Sequence, residues 1–270
     1  AISNSRLTVA ARSLAHYQLH VSVEESPSMR LGSLCHAGQL EPLEVARRFA
    51  VMPRFELRCV KADGTPSSNP KMTKQYRDLV EEFTAANEDK TVVTAEEYRT
   101  MMGVVQSLAH SETASRFLNN AEHEVSIVWR DNSTGLACKG RIDALKSGLV
   151  TDLKTMADAT QAARNFANRG YYRQLAFYAD GMTHLTGEPH SAAMVVAETQ
   201  APYCVLAAPV SEEAMDVGRR EYRELLERIA SSLVSGVWPG YESPAEWTLP
   251  KWKLTESEES CELVIGGETI

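Results

Sequence analysis

No apolar run in the 270 residues approaches the roughly 18 that a membrane-spanning helix needs, and the N-terminus lacks the charged-then-apolar order of a signal peptide. The chain is therefore expected to be soluble and unexported. Cysteine is scarce. Cys35, Cys59, Cys138, Cys204 and Cys261 are odd in number, scattered and never in a C-x-x-C pair, which argues against a disulfide framework or a zinc site and fits a reducing cytoplasm. Basic charge is also in short supply: 28 lysines and arginines face 36 acidic residues, for a net −8. That balance is the reverse of a nucleic-acid binder's on a simple count. Internal repeats and any composition shift that would mark a second domain are missing as well.

Hydrophobic residues make up 43% of the chain, enough for a sizeable core in one α/β domain with insertions. Part of the acidity is local, because residues 251–270 hold five glutamates against two lysines. We expect a single domain over 1–250 and an acidic, disordered tail over 251–270. The start at Ala1 suggests a lost initiator or excision from a longer chain. Basic residues cluster: Lys71, Lys74 and Arg77 recur at helical spacing, as do Arg164, Arg169 and Arg173. Each group reads as a solvated helix face or as a phosphate track.

Periodicity predicts helices over 5–20, with Ser3 or Ser5 as cap, over Ser28–His36, over 71–86, and over 95–109 behind a Thr94-x-x-Glu97 capping box. Met101, Met102, Val104, Val105 and Leu108 read as core, and residues 60–70 as loop. Further helices are expected from Asp158 to Ala167, from Tyr171 to Leu185 and from Ser211 to Val234, with strands over His190–Glu198 and Tyr203–Val210. The order of helices, three strands, helices, two strands and helix is that of an α/β fold with a mixed central sheet, an antiparallel meander within it, and flanking helices.

The chemistry centres on Gly140-Arg141-Ile142-Asp143, Lys146-Ser147-Gly148 and Asp152-Leu153-Lys154. A two-residue turn at Ser147-Gly148 would pair 146 with 149, 145 with 150 and 144 with 151, setting Asp143 opposite Asp152 with Cβ atoms roughly 4.5–5.5 Å apart. Lys154 would share their face, and Ile142 and Leu153 would pair on the core-facing side. Like charges facing each other across a ladder are destabilising, so a cation between them is the natural resolution. An acidic residue two positions before a lysine is common by chance, and Glu88-Asp89-Lys90 is a second instance. Only the Asp152 copy has apolar neighbours and a facing aspartate. Pairing Val125 with Ile142, Ile127 with Gly140 and Trp129 with Cys138 would also bring Glu124 across from Asp143, unless the register slips by one. His36, one turn after Gly32, reads from spacing alone as a satisfied core histidine or as a ligand, and Gly32 permits close approach of backbone or substrate. Gln174 and Tyr178, four apart, project together.

Gly140-x-x-Asp143, Asp152-Leu-Lys154 and Gln174-x-x-x-Tyr178 together resemble the RecB-like branch of the PD-(D/E)xK nuclease superfamily. Ile2-Ser-Asn-Ser, Met29-Arg-Leu-Gly32-x-x-x-His36-x-x-x-Leu40-Glu-Pro42 and Lys139-Gly-Arg-Ile-Asp143 are similar to the exonuclease VIII (RecE) family, nearly to Trp238. The superfamily's proline before the first aspartate is replaced by Ile142, which suits a strand. The resemblance implies a PD-(D/E)xK nuclease-like fold and a bacterial or phage-encoded cytoplasmic exonuclease. It would need Mg²⁺, with Mn²⁺ as substitute, but no ATP, and would digest linear double-stranded DNA 5′→3′ to leave 3′ tails for a RecT-like annealing protein. It also implies a toroidal homotetramer. On that likeness Asp143, Asp152 and the Leu153 carbonyl would hold the metal, with Glu124 as a further candidate. Lys154 would activate water with its pKa lowered by the cation, and His36 would serve a second metal or the scissile phosphate. Gln174 and Tyr178 would position the end nucleotide, while Arg141, Arg164, Arg169 or Arg173 would hold backbone phosphates. Two rivals share these residues: an endonuclease or structure-specific nuclease on the same fold, and a non-catalytic DNA-end binder, which should lack a ligand or the lysine.

Overall fold

Hydroxyl caps decide where the first helices start. Ser3 accepts from the Arg6 amide and opens α1 (Asn4–Arg12), and Ser13 accepts from the His16 amide and opens α2 (Leu14–Gln18). Ser13 is extended, at φ −171°, so the helix expected over 5–20 is two short ones meeting at that buried serine. Pro27 sits in the first turn of α3 (Pro27–Leu40), where its missing N–H costs nothing. The structure is a computed structural model and describes residues 1–19, 26–61, 63–243, 246–249, 264–265 and 268–269.

A short helix, α4 (Val45–Arg48), leads into strand β1 (Phe49–Val51). Two 3₁₀ turns, Phe55–Arg58 and Pro70–Met72, bracket the expected loop before α5 (Lys74–Ala85). Strand β2 (Thr91–Val93) lies parallel to β1. The Thr94/Glu97 capping box then opens α6 (Ala95–His110), followed by α7 (Glu112–Leu118). Within α6, Met101, Val104 and Leu108 are buried as predicted, but Met102 faces out.

The main sheet holds β3 (Glu122–Arg130), β4 (Ala137–Lys146), β5 (Leu149–Met156), β6 (Ser191–Glu198) and β7 (Val205–Pro209) in that order. The β5–β6 pair is parallel and the rest are antiparallel, so the sheet is mixed. The β5-to-β6 crossover carries α8 (Ala162–Asn168) and α9 (Tyr171–Thr186), and α10 (Glu212–Ser235) packs on α9. Two apolar cores cover the two sheet faces. One joins α1, α9 and α10 to Ile127, Ile142 and Val150; the other joins α3, α6 and α7 to Ala144, Leu153 and Val195.

Residues Ala1–Trp238 form one compact unit and Pro239–Ile270 a second. Most of the tail expected to be disordered lies outside the described residues. Within it, β8 (Val264–Ile265) pairs antiparallel with β9 (Glu268–Thr269). No described helix is long and apolar enough to cross a membrane.

Candidate active site

The β4–β5 hairpin turns at Ser147-Gly148, with Gly148 at φ +71°, and pairs 146 with 149, 145 with 150 and 144 with 151. There the ladder stops. Asp143 and Asp152 do not face each other as a strand pair. Instead the Asp143 Oδ2 accepts a 2.7 Å hydrogen bond from the Leu153 amide, and β5 continues along β6. On the far side of the opening, Ile2 bridges β4 beside Cys138: its N–H donates to the Ala137 carbonyl and its carbonyl accepts from the Lys139 amide.

The same point breaks the alternation of faces. Ile142 belongs to one core and Ala144 to the other, although two residues apart on a regular strand share a face. Ile142 and Leu153 consequently lie on opposite sides of the sheet, against the expectation that they pair. Glu124, on the neighbouring strand, has φ +55°, a left-handed conformation that costs a non-glycine residue on the order of 1–3 kcal/mol. The β3–β4 register around it is the predicted one, with Val125 opposite Ile142. The twist aims Glu124 toward Asp143 and His36, so that one nitrogen or oxygen from each of His36, Glu124 and Asp143 lies within 4.8 Å of the others. His36 Nδ1 is 3.7 Å from Asp143 Oδ2. The third carboxylate, the least secure of the sequence candidates, is thus the one beside Asp143.

Asp152 sits beneath this cluster and is 2% exposed. Lys154 Nζ lies 2.7 Å from both of its oxygens, and Gln174 Nε2 donates to Oδ1 at 2.7 Å. Hydrogen-bond geometry is met only at Oδ1, which leaves Oδ2 buried without a hydrogen-bond partner. Gln174 is in turn held by Asn4, whose Nδ2 donates to Gln174 Oε1 at 3.3 Å. That contact orients the glutamine amide with its NH₂ toward Asp152. Asn4 was not among the predicted site residues; its only sequence signal was a place in the Ile2-Ser-Asn-Ser stretch.

Tyr178 packs its ring over Gly140, where a Cβ would come within 2.8 Å of ring carbons. The glycine of Gly140-x-x-Asp143 therefore makes room for that tyrosine ring to contact β4. Burial and then the Asp152 charge push the Tyr178 hydroxyl up to about 12, so it stays a proton donor at neutral pH.

The arginines divide. Arg141 is ion-paired through Nε to Glu124 and through a terminal nitrogen to Glu41 at 2.9 Å, so it braces the cluster. Arg173 is 7% exposed and tied to Glu221 and to the Thr8 hydroxyl, each at 3.3 Å; it is an internal brace with no reach to a phosphate. Arg164, Arg169 and Arg173 do not share a helical face, because Gly170 at φ +65° separates α8 from α9. Arg169 alone of the three lines the site cavity, and Arg164 is exposed outside it.

That cavity has a volume of about 920 Å³ and is lined by His36, Glu124, Asp143, Lys154, Arg169 and Tyr171, among others. Gly32 also lines it, over Thr155. Its electrostatics are those of an under-neutralised acid cluster. Burial raises Asp143, Asp152 and Glu124, and for Glu124 the Asp143 charge adds to the rise. Burial, then Lys154, lowers His36 and leaves its imidazole neutral, with the Leu153 carbonyl at hydrogen-bonding range. Burial pulls Lys154 down, but Asp152 and Asp143 outweigh it and raise the ammonium above its ordinary value. A lowered Lys154 pKa, as expected from sequence, thus requires extra positive charge beside those carboxylates. Carboxylate oxygens, one of them without a hydrogen bond, a neutral imidazole and a backbone carbonyl form a donor set that fits a hard or borderline divalent cation.

No curated protein matches the sequence. The chain superposes on the crystal structure of a provisionally named exonuclease from Eubacterium rectale with a TM-score of 0.58 at 14% identity, over 94% of this chain and 92% of that one. At that identity the likeness is one of fold: a mixed sheet with flanking helices. A family model spans residues 5–247. With the acid cluster on the splayed hairpin and the match covering most of its length, the chain belongs to the family described as the PDDEXK-like domain of unknown function (DUF3799), within the PD-(D/E)xK nuclease superfamily.

Proposed function

We propose that the protein is a Mg²⁺-dependent, ATP-independent exodeoxyribonuclease of the exonuclease VIII (RecE) kind. In this reading it works in the cytoplasm on linear double-stranded DNA, 5′→3′, as a toroidal homotetramer, and leaves 3′ tails for a RecT-like annealing protein. The observation that carries the nuclease reading is a convergence from four separate elements: His36, Asp143 and Lys154 line one cavity, and buried Asp152, held by Gln174, pairs with Lys154. The name of the Eubacterium rectale protein is consistent with it. Polarity, assembly and annealing partner rest on the sequence resemblance.

Asp143, Glu124, His36, the Leu153 carbonyl and Oδ2 of Asp152, which has an ion pair to Lys154 but no hydrogen bond, are the groups that would hold the metal, with Mn²⁺ able to replace Mg²⁺. Bound there, the cation would supply Lewis-acid polarisation of a phosphoryl oxygen and acidify water. Lys154 is placed to hold and orient the attacking water from the Asp152 side. Gln174 fixes the Asp152 carboxylate by donating to Oδ1, which would leave Oδ2 as the oxygen offered to a cation. The Tyr178 hydroxyl, protonated at neutral pH, can donate to a phosphate or a leaving oxygen. Arg169 at the cavity wall is the arginine free to meet a backbone phosphate.

The test uses linear duplexes labelled at the 5′ or the 3′ end, with Mg²⁺, with Mn²⁺ and with chelator, beside a covalently closed circle. Release of 5′-label from the linear duplex with either metal, and none with chelator, is expected. Nicking of the closed circle would replace the exonuclease reading with an endonuclease one.

A further inference from the structure

The chain is acidic as a whole, yet its charge is segregated. Between residues 54 and 77 six basic side chains, Arg54, Arg58, Lys61, Lys71, Lys74 and Arg77, face two acidic ones, Glu56 and Asp63, for a local balance of +4. The remaining residues hold 22 basic and 34 acidic groups, or −12. All six cations are exposed. Asp63 is turned inward on its own loop, accepting from the Thr65 amide and hydroxyl, and Glu56 reaches only Lys71, at 3.7 Å. Five of the six therefore have no carboxylate within ion-pair distance among the described residues. Exposed cations left uncompensated at this density repel one another, and a polyanion relieves that repulsion.

Residues 60–70 are the expected loop, and the segments on either side of it are packed in place. Phe55 and Cys59 are buried, and Phe55 packs edge-on against Phe83 of α5 with ring centroids 5.9 Å apart. Gln75 clips the segment to α5: its Oε1 accepts from the Val60 amide at 3.2 Å and its Nε2 donates to the Arg58 carbonyl at 3.1 Å. The 3₁₀ turns at Phe55–Arg58 and Pro70–Met72 both pack on α5. Five of the cations thus come from two turns, one counting its cap residue Arg54, and one helix that pack on one another, and Lys61 from the loop between the turns. The lobe is also continuous with the site, since Arg48 lines the active-site cavity and β1 runs from it toward Arg54.

We infer that this lobe is the duplex-binding surface, which grips the phosphate backbone of double-stranded DNA through Arg54, Arg58, Lys61, Lys71, Lys74 and Arg77 while the cavity takes the strand to be cut. The inference rests on the proposed nuclease reading for the identity of the polyanion. Contacts of this kind are indifferent to sequence and strongly dependent on salt, because each neutralised phosphate releases condensed counterions. The lobe would also let a protein of net −8 hold DNA, because residues 54–77 carry a local +4 ahead of Asp78, Glu81 and Glu82 farther along α5.

The experiment measures binding of a fluorescent duplex across a salt series in Ca²⁺, for the full chain and for two variants of equal charge change. Arg58→Gln/Lys74→Gln/Arg77→Gln removes three lobe cations; Arg116→Gln/Arg220→Gln/Arg228→Gln removes three exposed ones elsewhere. The lobe variant should flatten the slope of log affinity against log salt by up to about 2.7, at roughly 0.9 for each phosphate no longer neutralised, and weaken low-salt binding by at least tenfold. The second variant should leave the slope within experimental error, and both should melt with the parent, since all six side chains are exposed. Equal slopes for the two variants would overturn the lobe, as would a parent that binds polyglutamate as tightly as duplex. A parent that binds duplex through the lobe yet cleaves none in Mg²⁺ would sink the nuclease reading and leave the lobe standing.

Discussion

Helix α9 carries a half-buried acid, Asp180, toward α10 and covers a buried one, Asp152, toward the sheet, and the two are treated differently. On the α10 side, Asp180 receives Arg219 at 3.1 Å, Arg223 at 3.4 Å and the Tyr222 hydroxyl at 2.6 Å, and Arg219 is further ringed by Glu212 and Asp216. Every charge there has a partner. On the sheet side, Asp143, Asp152 and Glu124 share Lys154 and the already divided Arg141, one oxygen of Asp152 has no hydrogen bond, and burial raises all three carboxyls. The first cluster stabilises the fold. The second works against it unless positive charge arrives from outside, and so an acid cluster left short of cations is the better pointer to function.

The largest separation should come from matched neutralisations. Asp143→Asn keeps an acceptor for the Leu153 amide and removes one of three mutually repelling charges. It should cost on the order of 10³-fold or more in DNA hydrolysis, several kcal/mol of transition-state stabilisation, while melting no lower than the parent. Asp180→Asn should do the reverse, losing about 1–2 kcal/mol of stability by calorimetry with specific activity unchanged. Similar melting and activity losses for both variants would erase the distinction. Next in size is the response to metal. Mg²⁺ or Mn²⁺ at about a hundred times its dissociation constant should stabilise the parent by roughly 2.7 kcal/mol in thermal unfolding. Asp180→Asn should keep that stabilisation and Asp143→Asn should lose it. A parent whose melting ignores both ions would remove the cation from the argument.

Much of the acid hairpin could be read before any coordinates, because its cues are local. A Ser-Gly turn, period-two alternation and a neighbouring strand with matching apolar positions are enough to predict the register from Val125–Ile142 through Lys146–Leu149. What escaped was the failure of that regularity. The face switch at Asp143 depends on a left-handed Glu124, which no residue-type preference would suggest. Burial of Arg173 depends on Glu221, 48 residues away, and the capture of Arg141 on Glu41, 100 residues away. Strands β1 and β2, three residues each, are too short to show a period. The functional groups were legible as a set; their division of labour was not, because it is settled by long-range pairing.

A smaller contrast can be drawn at Asn4, the first residue of α1. If it acts only as a helix-start residue, Asn4→Asp should equal or exceed Asn4→Ala in stability, since an acidic side chain suits that end of a helix by about 0.3–1 kcal/mol. If it orients Gln174, the aspartate can only accept. The Gln174 amide then turns its NH₂ toward position 4 and sets its carbonyl against Asp152. Asn4→Asp should therefore need severalfold more Mg²⁺ for half-maximal rate than Asn4→Ala, despite melting at least as high. A metal requirement that simply follows stability would return Asn4 to a structural role.

The sheet's parallel step fixes an order of assembly. Asp143, Asp152 and Lys154 lie on a hairpin whose closing pair, Lys146 with Leu149, is three residues apart, whereas β5 meets β6 only after Leu149 finds Ser191 across 42 residues. Short loops close early and long ones late. During folding the acids and the lysine should come together first, in a solvated ribbon where water screens their repulsion. Only the later docking of α9 drives that water off Asp152 and commits Gln174 to it. The energetic cost of concentrating negative charge is thus deferred to the final step of folding, where a divalent ion in the surrounding medium would have its greatest influence on the rate.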